Sequence, residues 1–333
     1  MNARHPRVVV VTGASAGVGR ATVRAFAQEG AHVGLIARDT EGLHAAAREA
    51  GELGGKGIAV AADVADAEQV ERAAARIEEE LGPITVWVNN AMTTVFARVA
   101  DITPAEFKRA TEVTYLGTVF GTMAALRRML PRNQGRIIQV GSALAYRSIP
   151  LQAAYCGAKH AIAGFTDSLR TELIHDGKNI HLTMVQLPAM NTPQFTWCRS
   201  KMPNQPQPVP PIFQPEVAAE RIVWASHHTR REIFVGAPTV IAIEANKIAP
   251  GLADHYLGRT GFDSQQTAEA LPEGRADNLF EPVPGDFGAH GVFGDQAHDR
   301  AITTWVSGHK GTTALAGAAL VGVLAFALKK RAS

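Results

Sequence analysis

A tyrosine and a lysine that stand four positions apart, Tyr155 and Lys159, are the side chains of this sequence best suited to acid–base chemistry. Residues at this spacing share one face of a helix, so the two groups would lie side by side. A tyrosine hydroxyl ordinarily titrates near ~10, and a fixed ammonium beside it favours the phenolate and lowers that pKa. The pair therefore predicts a tuned proton donor and acceptor. Alone it is weak evidence, because the same spacing occurs on many solvated helices.

A glycine-rich turn near the N-terminus supplies the context that the pair needs. Val8 to Val11 form an apolar run that leads into Thr12-Gly13-Ala14-Ser15-Ala16-Gly17-Val18-Gly19, and a helical pattern follows. Glycines let the backbone approach a ligand closely, and the free N–H groups at a helix start suit a pyrophosphate. A plain turn is the alternative, but the strand before it and the helix after it favour a phosphate cradle.

The elements that must position these groups alternate regularly through the first 190 residues. Amphipathic helical patterns, such as 67–81, separate six short apolar runs that read as buried strands: 7–12, 32–37, 57–61, 84–88, 135–141 and 179–187. Such alternation predicts an α/β fold, a doubly wound parallel sheet with helices on both faces. Ligands of such sheets bind beyond the carboxyl ends of the strands, which is where the glycine turn falls.

Composition excludes several function classes. The chain has 333 residues, of which 46% are hydrophobic and 19% charged, as in an ordinary globular protein. Thirty-three basic and 31 acidic side chains give a formal net charge of +2 without a long run of one sign, so we expect no nucleic-acid partner. The two cysteines, Cys156 and Cys198, have neither metal-site nor disulfide spacing. We therefore expect no metal and a reducing, cytoplasmic location, and the N-terminal residues do not resemble an export signal.

The sequence changes character after residue 193. Seven prolines and three large aromatic residues fall within 193–215, and a long loop after a late strand is often an active-site lid, with a linker as the alternative. A helix from Pro215 to about His228 and a strand at 231–235 follow, and a further helix is predicted from Thr239 to Leu257. These patterns predict a main α/β domain at 1–238, which includes the segment 193–215, and a helical extension at 239–270. Residues 271–300, rich in Gly, Pro and Asp, predict a loosely ordered linker.

A hydrophobic tail at 301–333 ends the chain. Its seventeen uncharged residues 312–328, followed by three cations, would reach ~26 Å as a helix, just short of a ~30 Å hydrocarbon core. Two interpretations stay open: a membrane anchor or interfacial helix, or a helix packed on the protein or on a second subunit.

Together these motifs resemble the short-chain dehydrogenase/reductase family, in its three-glycine single-domain branch. The resemblance covers roughly residues 7–238 and depends on the turn at 12–19, Asn89-Asn90-Ala91 after the fourth strand, Ser142 and Tyr155-x-x-x-Lys159. It implies a Rossmann fold, a nicotinamide cofactor, hydride transfer to or from a carbonyl or alcohol carbon, and a homo-oligomer. The larger sugar-nucleotide epimerase branch is disfavoured by the glycine spacing.

The resemblance also implies which residues bind the cofactor. Ala37 stands where NAD-preferring relatives place an acid, and the next residue is Arg38, which can pair with a 2′-phosphate, so NADP(H) is favoured over NAD(H). The alternative is that Arg38 ends a solvated strand and Asp39 takes the ribose. The implied cofactor contacts are Gly13, Ser15, Gly17, Val18, Gly19, Arg38, Asp63, Val64, Asn90, Ala91, Tyr155, Lys159, Pro188 and Thr192.

In the mechanism that the resemblance implies, Tyr155 exchanges a proton with the substrate oxygen while Ser142 hydrogen-bonds the same oxygen. Lys159 would bind the nicotinamide ribose and lower the pKa of the tyrosine.

One member of the catalytic set departs from the family pattern. Thr114 stands where the family has an asparagine whose main-chain carbonyl holds a relay water. Its hydroxyl can hydrogen-bond backward within its helix, which would preserve a local bend. Met92 and Ala189 replace usual glycines and add bulk near the nicotinamide side.

Two functions from different classes follow. The first is an NADP(H)-dependent oxidoreductase acting on a small, apolar carbonyl or alcohol, which an aromatic lid would suit. The alternative is a catalytically weak or inactive cofactor-binding regulator on the same fold, for which the three departures are the support.

Overall fold

The computed structural model describes residues 6–301, and its centre is a seven-stranded parallel sheet. Along the chain the strands are β1 Val8–Thr12, β2 His32–Ala37, β3 Lys56–Ala61, β4 Ile84–Asn89, β5 Gly135–Ser142, β6 Ile180–Leu187 and β7 Glu232–Phe234. Their lateral order is β7-β6-β5-β4-β1-β2-β3, and every neighbouring pair is parallel. The order reverses between β1 and β4, which opens a crevice at the carboxyl ends of the strands.

Ten α-helices accompany this sheet within the described residues. They are α1 Gly17–Gln28, α2 Thr40–Glu52, α3 Ala67–Leu81, α4 Pro104–Thr111, α5 Gly117–Arg132, α6 Ala153–His175, α7 Gln194–Trp197, α8 Pro215–His227, α9 Ala237–Ile248 and α10 Pro250–Thr260. On one face α1, α2 and α8 pack on the sheet, and on the other α3, α5 and α6 do so.

Strand β1 shows why the sheet must be covered on both sides. Val9 and Val11 belong to the core beneath α1, α2 and α8, whereas Val8 and Val10 belong to the opposite core, and all four are at most 2% exposed. A strand buried on both faces reads as a continuous apolar run, as the sequence does here. The Rossmann-like doubly wound fold that was predicted is confirmed.

The predicted helix from Thr239 to Leu257 is wrong in one respect, because two helices replace it. Helix α9 ends at Ile248 and α10 begins at Pro250. Between them Ala249 has φ −140° and ψ 62°, outside the helical region. Proline disfavours helical geometry in the residue before it and has no N–H to continue a helix, so the chain breaks there.

The predicted lid at 193–215 is held to the domain by buried charge. It contains α7 and the short strands Arg199–Ser200, Asn204–Pro206 and Ile212–Phe213. Glu106 of α4 accepts hydrogen bonds from Arg199 at 3.0 Å and from Lys201 at 2.7 Å. Burial by itself would raise the pKa of Glu106, but hydrogen bonds from Lys201 and Thr103 lower it to about 2. The carboxylate is therefore charged at neutral pH and fastens the first part of the segment.

Residues 271–300, predicted to be a loosely ordered linker, have mostly irregular backbone but pack on the domain. Leu279 is fully buried against Val95, Ala97, Ala110 and Ala154. The short strand Ala297–His298 pairs with Ile212–Phe213 of the predicted lid. This segment consequently returns to the carboxyl edge of the sheet, where the site lies.

The predicted tail helix at 312–328 lies outside the described residues and stays a prediction. Among residues 6–301 we find no helix that combines the length and the apolar character needed to cross a bilayer. The predicted cytoplasmic location and homo-oligomeric state also stay predictions.

Candidate functional site

A cavity of about 500 Å³ lies at the carboxyl edge of the sheet. It is lined by Arg38 and Asp63, which follow β2 and β3, by the glycine turn after β1, and by Ser142 and Tyr155. The residues that end or follow the strands all line it: Gly13, Ala37, Ala62, Asn90, Ser142 and Leu187. The fold thus brings predicted residues from six strands to a single cleft.

The glycine turn has no room for a side chain at Gly13 or Gly19. Gly13 has φ +67°, and a Cβ placed there would lie 2.8 Å from Ala91 Cα. A Cβ on Gly19 would lie 2.0 Å from the carbonyl oxygen of Gly13. Helix α1 begins at Gly17, and Ala16 before it gives no side-chain cap. No side chain caps the backbone amides of this helix start, although the Gly17 N–H donates to the Gly288 carbonyl at 3.0 Å, and the other amides fit a pyrophosphate.

Asn90 joins the loop after β4 to this turn. Its Nδ2 donates to the carbonyl oxygens of Thr12 at 3.0 Å and of Gly13 at 3.3 Å. The Thr12 hydroxyl in turn accepts from the backbone N–H groups of Asn90 at 3.0 Å and Ala91 at 3.1 Å. Asn90 and Ala91 therefore form a fixed wall of the cavity, with Thr12 as the residue that joins the two loops.

Arg38 lies at the end of β2, at the mouth of the cavity. Its guanidinium donates to the backbone carbonyls of Asn278 and Phe280, the latter at 2.7 Å. Burial lowers the pKa of Arg38 and neighbouring Arg109 adds to the effect, but a guanidinium stays charged at physiological pH. Asp39 is engaged elsewhere, because its carboxylate caps α2 by accepting from the N–H groups of Glu41 and Gly42. The Asp39 carboxylate therefore caps a helix and does not stand as a free acid at the end of β2.

Asp63 and Val64 follow β3 and lie at the same end of the cavity. One oxygen of Asp63 accepts from the Ala65 N–H at 3.0 Å, and the other pairs with Arg109 of α4 at 2.5 Å. The carboxylate is therefore fixed from two sides.

Ser142, Tyr155 and Lys159 meet at the inner part of the cavity, as predicted. Ser142 ends β5 and is 7% exposed, and it shares a hydrogen bond with Tyr155. Lys159, 3% exposed, donates to the carbonyl oxygen of Val140 at 2.6 Å. Its Nζ lies 5.4 Å from the centre of the Tyr155 ring. Helix α6 thus places both side chains on one face, against the end of β5.

The Lys159 ammonium is predicted to lower the pKa of Tyr155, but in this structure burial of the tyrosine has the larger effect and the opposite sign. Burial raises the pKa of Tyr155, and the hydrogen bond with Ser142 only partly offsets that rise. Burial also lowers the pKa of Lys159 to about 8. Both shifts have one physical cause, because a poorly solvated site disfavours whichever form of each group is charged.

The Thr114 hydroxyl makes different hydrogen bonds from the predicted ones, while the relay role of the Thr114 carbonyl stays a prediction. Residues 112–116 form a single π-helical turn in which Thr114 is fully buried. Its hydroxyl donates to the carbonyl of Thr93 at 2.9 Å and accepts from the N–H of Thr93 at 3.0 Å. It bonds across to another loop rather than backward within its helix. Its own carbonyl accepts from the hydroxyl of Thr118 at 3.0 Å.

Pro188 and Thr192 follow β6, and Thr192 lies beside the glycine turn. Both line the cavity, and a Cβ on Gly17 would lie 3.2 Å from the Thr192 side chain. Met92 and Ala189, the bulkier replacements noted in the sequence, line the same cavity.

The sequence pattern of the short chain dehydrogenase family matches residues 7–202. This range contains every site residue described above except Asn278 and Phe280, whose carbonyls accept from Arg38. The chain belongs to the short-chain dehydrogenase family. It is 33% identical over 261 residues to the uncharacterized oxidoreductase YxnA of Bacillus subtilis, which covers 78% of this chain and 73% of that relative. It is also 29% identical over 252 residues to human 17-beta-hydroxysteroid dehydrogenase 13, covering 76% of this chain and 82% of the relative.

Two solved structures are similar in fold to this short-chain dehydrogenase. One is a metagenomic short-chain oxidoreductase in complex with NADP, with a TM-score of 0.57 and 26% identity over 69% of this chain and 96% of the other. The second is an alcohol dehydrogenase from Thermococcus sibiricus complexed with 5-hydroxy-NADP, with a TM-score of 0.59 and 27% identity over 68% and 95% of the two chains. The short-chain dehydrogenase described here is accordingly an oxidoreductase that acts on CH–OH groups.

Sequence reasoning missed three contributors to the site of this short-chain dehydrogenase. Thr12 holds the Asn90 loop, Arg109 pairs with Asp63, and residues 278–288 cross the mouth of the cavity. Thr12 could have been noticed as the polar end of an apolar strand. No local pattern marks the other two, because their partners are distant in sequence.

Proposed function

We propose that this short-chain dehydrogenase transfers hydride between NADP(H) and an apolar carbonyl or secondary alcohol, with Tyr155 as the general acid or base. The observation that carries the proposal is the convergence of Ser142, Tyr155 and Lys159 in one cavity whose other end holds the glycine turn and Arg38.

The nicotinamide would supply or accept the hydride. During reduction the Tyr155 hydroxyl gives its proton to the substrate oxygen, and the Ser142 hydroxyl donates a hydrogen bond to the same oxygen as negative charge develops there. A raised pKa keeps Tyr155 protonated at neutral pH, which suits its role as an acid. During oxidation the same oxygen of Tyr155 would have to take up a proton.

Lys159 has a positioning role in this proposal. One of its three N–H bonds is used by the carbonyl oxygen of Val140, which fixes the ammonium beside the Tyr155 ring. The other two could donate to the ribose hydroxyls of the cofactor. The charge so placed stabilises a phenolate whenever Tyr155 gives up its proton.

The preference for NADP(H) is supported by the charge at the end of β2. Arg38 provides a guanidinium there, while the neighbouring Asp39 is withdrawn as the cap of α2. Arg38 donates to three backbone carbonyls, those of Asn278, Leu279 and Phe280, which leaves two of its five N–H bonds for a 2′-phosphate. The two similar structures are complexes with NADP and with 5-hydroxy-NADP, which agrees with this preference.

The substrate end of the cavity supports an apolar substrate. Beyond Ser142 and Tyr155 it is lined mainly by aliphatic side chains and prolines from the β5–α6 loop, the predicted lid and the extension: Leu144, Ile149, Pro208, Val209, Pro210, Pro211, Pro238, Ala242 and Leu257. We propose that residues 193–215 act as the lid over this part.

The shifted lysine predicts a pH profile for carbonyl reduction. Lys159 carries its charge below a pKa of about 8 and loses it as the pH rises through that value. We therefore expect kcat/KM for reduction to be nearly constant between about pH 6 and 7 and to fall about tenfold per unit above about pH 8. Initial rates in a constant-ionic-strength buffer series measure this. An unchanged rate from pH 7 to 9.5 would show that the ammonium is dispensable.

A substrate screen that follows NADPH absorbance tests the proposed function. We expect oxidation of NADPH by at least one ketone or aldehyde of a panel graded in apolar size, and tighter binding of NADPH than of NADH by fluorescence titration. A protein that binds either dinucleotide but turns over no member of the panel, in both directions, would favour the regulatory alternative.

A further inference from the structure

Residues 278–288, which we call the strap, run across the mouth of the cavity outside the part of the chain that matches the family. The family pattern ends at residue 202, and the strap begins 76 residues later. Asn278, Pro282, Val283, Gly285 and Phe287 of the strap line the same cavity as the glycine turn and Tyr155. The strap is therefore a wall of the site that the short-chain dehydrogenase core does not itself supply.

One end of the strap is fastened at the Arg38 side of the cavity. The carbonyls of Asn278 and Phe280 accept from the Arg38 guanidinium, and the carbonyl of Leu279 accepts from Arg109 Nε at 3.1 Å. The Leu279 side chain is fully buried in an apolar cluster beneath. This end is held by packing as well as by charge-assisted hydrogen bonds.

The other end is fastened at the glycine turn. The carbonyl of Gly288 accepts from the backbone N–H of Gly17 at 3.0 Å, and Asp286 lies 3.4 Å from the guanidinium of Arg20 in α1. The Phe287 ring meets Trp197 of α7 edge-on, with ring centres 4.5 Å apart. The strap thus ends on the helix start at which a pyrophosphate would bind.

Both attachments use the elements that the proposed function assigns to the cofactor. Between these attachments, Pro282, Val283 and Gly285 line the cavity. From these contacts we propose that the strap is part of the cofactor site and closes over the bound dinucleotide, so that NADP(H) leaves only when the strap separates from the core. This inference rests on the proposed function, because it requires a dinucleotide in this cavity.

Arg38 makes the hold of the strap on the cofactor depend on whether the dinucleotide carries a 2′-phosphate. Three of its five N–H bonds hold the strap carbonyls of Asn278, Leu279 and Phe280, and the remaining two can hold a 2′-phosphate at the same time. A phosphorylated dinucleotide would then be bridged to the strap through one guanidinium, whereas NADH would not. NADPH should accordingly leave more slowly than NADH by a factor that depends on the strap.

Release of NADPH from strap variants tests the proposal. Leu279→Ala removes the buried anchor, and Phe287→Ala removes the ring contact with Trp197 from a side chain that is 37% exposed. Val292→Ala is the matched control, since Val292 is close in sequence and 73% exposed. Displacement of bound NADPH by excess NADP⁺ is followed by stopped-flow fluorescence. We expect release at least about tenfold faster from Leu279→Ala, several-fold faster from Phe287→Ala, and within twofold of wild type from Val292→Ala.

The possible results distinguish a failure of the strap proposal from a failure of the proposed function. Wild-type protein that binds no dinucleotide overturns both. Wild-type protein that binds NADPH, with folded Leu279→Ala and Phe287→Ala releasing it at the wild-type rate, overturns the strap alone. If Leu279→Ala does not fold, Phe287→Ala decides, together with hydrogen exchange of wild-type amides 278–288. We expect saturating NADPH to slow that exchange, and unchanged exchange would contradict closure.

Discussion

Replacing Tyr155 with phenylalanine is expected to lower kcat for carbonyl reduction by about 10³-fold, because it removes the only hydroxyl placed to give the substrate oxygen a proton in the proposed mechanism. The ring itself remains, so its packing beside the Lys159 ammonium, 5.4 Å away, is preserved. Binding of NADPH should therefore stay within about twofold of wild type, since the hydroxyl is not assigned to the phosphates. Steady-state kinetics and a fluorescence titration measure the two quantities separately.

Tyr146 offers a matched control for the loss of a hydroxyl. It lies in the same β5–α6 region, but its hydroxyl bonds the Glu232 carboxylate at 2.5 Å and it is outside the residues that line the cavity. Tyr146→Phe should cost about 1.5 to 3 kcal/mol of unfolding free energy, because the lost hydrogen bond goes to a carboxylate, and should change kcat by no more than about threefold. If Tyr155→Phe kept a tenth of the wild-type kcat, Tyr155 could not be the acid.

Replacing Gly19 with alanine is expected to weaken NADPH binding by about 100-fold. The new Cβ would lie 2.0 Å from the carbonyl oxygen of Gly13 and 2.7 Å from Asn90 Nδ2. Neither neighbour can move freely, because Asn90 is bonded to Thr12 and Gly13 is part of the turn. The start of α1 must therefore shift, and a distortion of about 3 kcal/mol corresponds to that loss of affinity. Titration of NADPH fluorescence measures it.

Gly164→Ala is the matched control for this substitution. Gly164 is exposed on α6, and a Cβ there would meet no heavy atom within 4 Å. Its affinity for NADPH should equal that of wild type, and its unfolding free energy should rise by about 0.5 to 1 kcal/mol because alanine favours a helix. Wild-type affinity in folded Gly19→Ala would contradict a phosphate site at the turn.

Much of the fold followed from local pattern. The six predicted strands agree with β1 to β6 to within one residue at each end, because strands of a parallel sheet that is covered on both faces are largely apolar runs. Helix α3 runs from Ala67 to Leu81 as predicted, with Asp66 accepting from the Glu68 and Gln69 N–H groups as its cap. The meeting of Tyr155 and Lys159 followed from helical periodicity, and their approach to Ser142 from the order of the strands.

The parts that could not be predicted depend on distant partners or on burial. Arg38 was assigned to a cofactor phosphate by its position after β2, but its contacts with Asn278 and Phe280 span some 240 residues and leave no local trace. The pKa of Tyr155 depends on how well the cavity excludes water, which the i to i+4 spacing does not reveal. Thr114 could be placed on its helix, whereas its bonds to Thr93 required the fold of the loop after β4.

Transfer of deuterium to a ketone from NADPH that carries deuterium at both C4 positions of the nicotinamide, read by mass spectrometry of the alcohol product, tests the central claim most directly. We predict one deuterium at the carbinol carbon of the product made by wild-type protein, and essentially no product from Tyr155→Phe that still binds NADPH. A wild-type protein that binds NADPH in this cavity yet transfers no deuterium to any ketone of the panel would contradict the account.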